Sequence, residues 1–308
     1  MDTLGLLYTI VSTCCLGANK LAVRKSLFGL DESYATLISI LISIPIFGIP
    51  LLFLGFDAQE ITTEVILLFV IIGLTNYVGG RYFIWKSISL VGANRGTILG
   101  ASQIVYAVVI AIVFLNQRID LLSALGVALV LLGIFVISYS KIHSSKSNSS
   151  YSSYVVSSIT SEQMKTGLIY GLAGGFFWGV TQDLMQIAIT VYKDPIGATF
   201  FTYITSLVGI IPIVILVQSR SGIENKYRSD RKSFIFVVVA TILGGFGQYY
   251  KYAALQILPV TVVATVNGTN PMITLILSYF LIREVEVIDR RTILGIISSV
   301  LGVVLVSF

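Results

Sequence analysis

Five charged residues fall inside long apolar stretches of this chain: Lys20, Arg81, Lys86 and Lys251 are basic, and Asp183 is acidic. A charge in hydrocarbon is costly, so such groups face the interior of a helical bundle, pair with one another or line a path. Four bases against one acid leave positive charge inside, even if one base forms a structural ion pair with Asp183 and Lys86 reaches an interface along its apolar stem. The chemistry this suits is electrostatic. Arg81 and Lys251 are the candidates to hold an anionic group on a solute. Asp183 suits a second role, exchanging a proton so that solute movement is coupled to a proton gradient. The alternative for each base is a place nearer the surface, hydrated by water.

Polar and aromatic residues accompany these charges. Asn19 stands beside Lys20, Gln182 beside Asp183, and Gln248 three residues before Lys251. Gln103, Asn267 and Asn270 also fall within apolar runs, as do Asn76 and Gln186. Gln103 and Asn270 are expected to hydrogen-bond the solute. Tyr77, Arg81, Tyr82 and Trp85 recur at helical spacing, and Gln248, Tyr249 and Tyr252 do the same next to Lys251. Tyr82, Trp85, Tyr249 and Tyr252 would then form apolar walls, with Trp178 on another helix, as suits a site for an organic molecule. The other reading of these rings is an aromatic belt at the membrane surface.

Catalysis has little support. The single histidine, His143, lies in a serine-rich stretch, so no metal cage is expected. Cys14 and Cys15 are adjacent, and helical neighbours point about 100° apart, so they form no staple. There is no His-Glu zinc pattern, no Ser/His/Asp set and no phosphate-cradling glycine loop followed by lysine. No cofactor is expected, and the chain does not read as an enzyme.

The elements that position these residues follow from composition. Of 308 residues, 56% are hydrophobic and 11% charged, with a mean hydropathy of +0.92. Soluble domains carry about 25% charged residues, so a water-soluble shell is excluded. The apolar residues form blocks of the length that crosses about 30 Å of hydrocarbon as a helix. Ten spans are expected, over 3–24, 34–54, 64–90, 93–115, 120–139, 163–190, 196–217, 232–256, 259–282 and 290–307. Met1-Asp2-Thr3 has no basic leader character, so the first block reads as a retained helix. The net charge of +5 does not signal nucleic acid, because the bases outside the spans sit in loops between apolar blocks.

A serine-rich linker, 140–161, separates two matching parts, 1–139 and 162–308. Gly5-Leu6-Leu7-Tyr8 recurs 162 residues later as Gly167-Leu168-Ile169-Tyr170, and Gly17 falls on Gly179. Arg81-Tyr82 matches Gln248-Tyr249, and Gln103 matches Asn270, both at an offset of 167. Gly126 and Gly133 match Gly295 and Gly302 at 169. An ordered series of this kind signals an internal repeat. Each part holds an odd number of helices, five, so the copies enter the bilayer from opposite faces. The expected fold class is therefore an all-α integral membrane protein of ten transmembrane helices, arranged as two inverted five-helix repeats. That plan suits alternating access around a site near the midplane.

Small residues mark close packing. Gly167, Gly171, Gly175 and Gly179 form a ridge on the sixth span, and Gly5, Thr9, Thr13 and Gly17 form one on the first. Gly92, Gly96 and Gly100 make a shorter ridge on the fourth. Such ridges serve either as static contacts or as sliding surfaces. Asn270-Pro271 interrupts the ninth span, where proline leaves a carbonyl without its donor, and Pro259 reads as a first-turn proline.

These features resemble the drug/metabolite transporter superfamily, in its ten-helix EamA-type branch, over nearly the whole chain. Phe177-Trp178-Gly179 and Leu16-Gly17-Ala18-Asn19 are similar to the Trp-Gly-x-Asn pattern of that family's first and sixth helices. Asn270-Pro271, an apolar run and Arg283-Glu284 resemble its ninth-helix signature, and Gln117-Arg118 stands at the matching place in the first half. This chain departs from the pattern with Gln117 where Glu is usual, Ile104 where Pro is frequent and Leu16 where Trp is frequent. The resemblance implies a basket of ten helices around a cavity lined by helices one, three, four, six, eight and nine. It also implies carriage of amino acids, sugars, nucleotide-linked sugars, organic anions or drugs. A membrane enzyme, a lipid scramblase or a channel are the competing classes.

Loop charge predicts the orientation. Fourteen bases belong to one face: Arg24, Lys25, Arg95, Lys141, Lys146, Lys165, Arg220, Lys226, Arg228, Arg231, Lys232, Arg283, Arg290 and Arg291. Only Arg118 and Lys193 belong to the other. The positive-inside rule puts the first face in the cytoplasm and both termini outside, against the usual drawing of the family. The expected partners are a small-molecule solute and the lipid bilayer, with no nucleic acid, in a monomer or homodimer. In a prokaryote the membrane is the plasma (inner) membrane.

Overall fold

The computed structural model describes residues 2–27, 29–55, 61–91, 96, 99–144, 161–220, 231–281 and 290–306. The serine-rich stretch 145–160 lies outside them, as do Gly92, Arg95, Lys146, Lys226, Arg228 and the Arg283-Glu284 pair. The side chains of Lys141, His143, Arg220, Arg290 and Arg291 are likewise outside the description.

Apolar runs of this length satisfy their backbone groups internally only as helices in a bilayer, and no strand occurs among the described residues. The segments are α1 (Thr3–Ser26), α2 (Glu32–Leu54), α3 (Thr63–Val91), α4 (Gln103–Phe114), α5 (Leu121–Ser144), α6 (Ser161–Val191), α7 (Pro195–Arg220), α8 (Arg231–Leu255), α9 (Val260–Asn267), α10 (Asn270–Leu281) and α11 (Arg290–Val306). Five of them are long and apolar enough over described residues to cross a membrane: α1, α2, α3, α7 and α8. Their outward faces carry side chains such as Leu52, Phe53, Leu67 and Ile215, more than half exposed.

Polar side chains set the helix starts. Asp2, Asp31 and Thr62 accept from backbone N–H groups in the first turns of α1, α2 and α3. Asp120 does the same for α5, accepting from Ser123 N at 3.0 Å, and its bonds with Ser123 hold this exposed carboxyl below the usual carboxylate range.

Two irregularities shape the interior. The middle of α3, Leu74–Tyr82, winds as a π-helix, a feature that composition does not announce. The expected ninth span is broken into α9 and α10 at Gly268–Thr269, two residues before Pro271. Proline therefore sits in the first turn of α10, where its missing N–H costs little. At the break Gly268 is pressed against Ile104 of α4, with no room for a Cβ. Pro259 caps α9 from just outside it.

The packing follows a pattern of exchange. α1 lies along α8 as α6 lies along α3, α1 meets α10 as α6 meets α4, and α3 meets α7 as α8 meets α2. α2 with α7, and α5 with α11, complete the set. Each contact maps onto another when the helices of one half are swapped for those of the other. The small-residue ridges make the contacts possible. On α6, Gly171 and Gly175 face Leu99 and Ser102, and Gly179 faces Tyr106; on α1, Gly5 faces Leu258 and Gly17 faces Ile273. Thr9 and Thr13 return their hydroxyls to the carbonyls of Gly5 and Thr9, so the α1 ridge carries no unmet donor.

Candidate functional site

Where α1, α3, α4, α6, α8 and α10 converge, they enclose a cleft of about 660 Å³ counted out to its open side. Nine of the residues expected to form a site line it: Asn19, Lys20, Arg81, Trp85, Gln103, Trp178, Gln248, Lys251 and Asn270. Leu16, Val23, Asn76, Ile84, Ile88 and Gly244 complete the lining. Three of these groups are cationic, and no carboxylate stands among the described lining residues.

The three cations are held differently. Arg81 is built into the wall. Its Nη1 donates to Ser39 Oγ at 2.8 Å, and its guanidinium lies 4.2 Å from the ring centre of Tyr77, 5.7 Å from Trp85 and 5.9 Å from Tyr203. Ring faces stabilise such a cation without neutralising it. Lys20 lies over Trp178 at 5.9 Å. Lys251 is 9% exposed and meets no hydrogen-bonding or ion-pair partner among the described residues.

Polar positions border the cations. Asn19 Nδ2 donates to Ala240 O, and both Asn19 and Arg81 border Gly244. Gln248 Nε2 is 3.3 Å from Met185 Sδ. Asn76 Nδ2 and Asn270 Oδ1 are buried with no partner among the described residues, a donor and an acceptor on the cleft that a solute or water can satisfy. The π-helical turn of α3 shapes this region. Gly79 and Gly80 admit the rings of Phe177 and Trp178, and Trp178 Nε1 donates to Asn76 O at 3.2 Å.

The remaining six expected residues lie outside the lining. Tyr252 Oη is 2.6 Å from Thr202 Oγ1, with 0% exposure. Asn267 Oδ1 accepts from Ser12 and Thr13, locking α9 to α1. Tyr249 packs edge-on against Tyr250, and Tyr82 lies tilted against Phe83. Gln182 and Asp183 are 1% and 3% exposed, and their side-chain polar atoms have no partner among the described residues. Asp183 is thus not an ion-pair partner of any described base. Lys86 instead pairs with Glu32 at 3.5 Å, a buried acid at the start of α2.

The repeat offsets recur in the cleft. Arg81 and Gln248, Gln103 and Asn270, and Ile84 and Lys251 are related by 167 residues, and Leu16 and Trp178 by 162, and all eight line it. The cations break this symmetry: the mates of Lys20, Arg81 and Lys251 are Gln182, Gln248 and Ile84.

The sequence matches the description EamA-like transporter family over residues 3–139 and again over residues 165–308. The chain belongs to the EamA-like transporter family. The double match makes the two halves copies of one family unit and accounts for the paired positions along the cleft. A solved structure, titled only as a crystal structure of a protein, superposes on 100% of this chain and 98% of its own with a TM-score of 0.76. At 13% identity that likeness concerns the fold alone. No curated protein matches the chain. The EamA-like family is a family of membrane transporters, which supports a transport role for this chain.

Sequence reasoning missed the cage around Arg81. Ser39 and Tyr203 come from α2 and α7, which carry no intramembrane charge to draw notice. Asn76 was visible as a polar residue within a span, but its role follows from the π-helical turn.

Proposed function

We propose that this protein is a secondary transporter that moves a small organic metabolite bearing an anionic group by alternating access. Its ten spans form two inverted five-helix repeats, with α9 and α10 together making the ninth. The observation that carries the reading is the cleft itself: three cations, two of them lysines, with no carboxylate among the described lining residues. Desolvated positive charge of this kind is costly without a counter-charge, and the solute supplies it. The exchange pattern of helix contacts and the four repeat-related pairs support a site on the axis that swaps the two halves. Lys20 and Lys251 meet the anion, Gln103 and Asn270 hydrogen-bond the neutral part, and Trp85 and Trp178 form the apolar walls. Asp183 is the candidate for proton coupling, because it is buried without a partner among the described residues.

A second reading has its own support. Arg81, which the sequence suggests as an anion holder, is already met by three rings and a hydroxyl, so on the first reading it adds positive field while the two lysines make the contact. With Arg81 and both lysines structural, the cleft would serve a zwitterionic amino acid or a neutral sugar.

The test is a thermal-shift screen of the purified protein in detergent with organic anions, sugar phosphates, amino acids and neutral sugars, followed by flux into liposomes. A ligand at 100 times its Kd stabilises the folded state by about 2.7 kcal/mol. Stabilisation by anions, lost in Lys20→Gln and Lys251→Gln, supports the anionic solute. Stabilisation only by amino acids or sugars overturns it.

A further inference from the structure

The cleft extends farther toward one end of the bundle than toward the other. On α1 its lining runs from Leu16 to Val23, and on α3 from Asn76 to Ile88, both toward the C-terminal ends of those helices, whereas on α8 it stops at Lys251, a turn before Leu255. The opposite end gathers the start of α1, the ends of α4, α6 and α8, and the start of α9. None of its residues lines the cleft.

Two glutamine side chains tie that opposite end together. Gln117, just beyond α4, donates from Nε2 to Gln186 Oε1 of α6 at 3.0 Å. Gln186 Nε2 donates to the carbonyls of Leu255 and Leu258, each at 3.3 Å. Gln186 Oε1 also accepts from Val260 N at 2.8 Å, and Gln117 Oε1 accepts from Thr261 N at 3.4 Å. The carbonyls at the end of α8 and the N–H groups at the start of α9 have no partners within their own helices. The glutamines supply both kinds of partner, which needs a donor and an acceptor on each side chain. A primary amide offers that pair without charge, with two N–H donors on one atom and the acceptor on another.

The repeat provides a comparison at the cleft end. At an offset of 162 the mate of Gln186 is Arg24, whose side chain forms no hydrogen bond to any described residue. At an offset of 167 the mate of Leu255 is Ile88, which lines the cleft instead of being tied by a side chain. Among the described residues the network is present at the closed end only; the positions matching Gln117, Val260 and Thr261, which are Glu284, Ala93 and Asn94, lie outside the described residues.

We propose that Gln117 and Gln186 form a latch that holds this end of the bundle shut, and that the protein opens the end by releasing the α8–α9 elbow from the two side chains. The proposal rests on the carrier reading, since a latch matters only if the two ends open in turn. It assigns conformational control to two glutamines that do not touch the cleft.

The experiment places a reporter beneath the latch. Thr261→Cys, at a position 7% exposed, is made in a background of Cys14→Ala and Cys15→Ala, and its reaction with a maleimide is timed in detergent. Lys193→Cys, at an exposed position, controls for reagent access, and gel filtration controls for folding. Slow labelling is expected with both glutamines present. Gln186→Leu and Gln117→Leu each raise the rate about tenfold, as loss of one to two net hydrogen bonds implies. Gln186→Glu, which keeps the shape but loses the donors, raises it too, and the double Leu variant adds little to either single change, because the two act as one unit. Unchanged labelling in folded variants, or fast labelling with the latch intact, overturns the proposal. Faster labelling with no solute that binds or moves would leave the latch standing and remove the carrier reading. Solute flux with unaffected labelling would do the reverse.

Discussion

Trp178 of α6 lies across Gly80 of α3 so closely that a methyl group at Gly80 would overlap the indole. The same indole donates to the carbonyl of Asn76 one turn earlier, within the π-helical stretch. The glycine, the irregular turn and the tryptophan therefore form one unit, and π-helical turns of this kind often accompany functional sites.

Gly80→Ala is expected to displace Trp178 from the cleft wall and lower stability by about 1–3 kcal/mol, the usual cost of overpacking. Trp178→Phe keeps a ring but loses the bond to Asn76, so it should lower stability less and weaken solute binding. Thermal melting in detergent and ligand-induced shifts separate the two effects. Full stability in Gly80→Ala would show that the unit is loosely packed.

The three cations of the cleft should not behave alike. Arg81 is fixed by Ser39 and three rings, so Arg81→Lys, which keeps the charge but loses the planar group, should lower stability by about 1–2 kcal/mol. Lys251→Gln should cost little stability, since it removes a buried charge with no protein partner among the described residues, and should weaken an anionic solute about tenfold or more. Equal effects of both changes on stability and on binding would contradict this division.

The bundle and its repeat were legible in the sequence because hydrocarbon dictates helix length and because the two halves repeat glycines and polar residues at steady offsets. Nine expected site residues meet at one cleft because intramembrane polar groups turn inward wherever they lie. Tyr82, Tyr249 and Tyr252 were grouped with their charged neighbours by helical spacing. Spacing fixes a face but not which helix that face meets, and Tyr252 turns to Thr202 of α7. The Lys86–Glu32 pair was illegible for another reason. Glu32 sits at a helix start, where acids usually face water, yet here it is 8% exposed. The π-helical turn packs against Phe177 and Trp178, contacts that local sequence does not announce, whereas the break at Gly268–Thr269 falls beside the Asn270-Pro271 interruption that the sequence does announce.

The Lys86–Glu32 pair joins α3 to α2 beside the cleft rather than within it. Removing one partner leaves the other without its counter-charge. Lys86 is one-third exposed, so Lys86→Met should cost about 1–2 kcal/mol, less than for a fully buried pair. Adding Glu32→Gln to Lys86→Met should recover much of the loss. Melting temperatures of the two single variants and the double variant measure the coupling; strict additivity would mean the contact contributes nothing.

Orientation is the prediction most exposed to a simple test. The cleft opens toward the ends of α1 and α3, near Arg24 and Lys25. That is the face to which loop charge assigns fourteen bases against two. If the positive-inside rule decides the topology, the cleft as described faces the cytoplasm, and the Gln117–Gln186 end and both termini face outward. An epitope added at either terminus should then react in intact cells. A cysteine at Lys25, in a background of Cys14→Ala and Cys15→Ala, should react with an impermeant reagent only after the membrane is permeabilised. The reverse pattern would turn the protein over. The described state would then be open to the outside, and the latch would guard the cytoplasmic end.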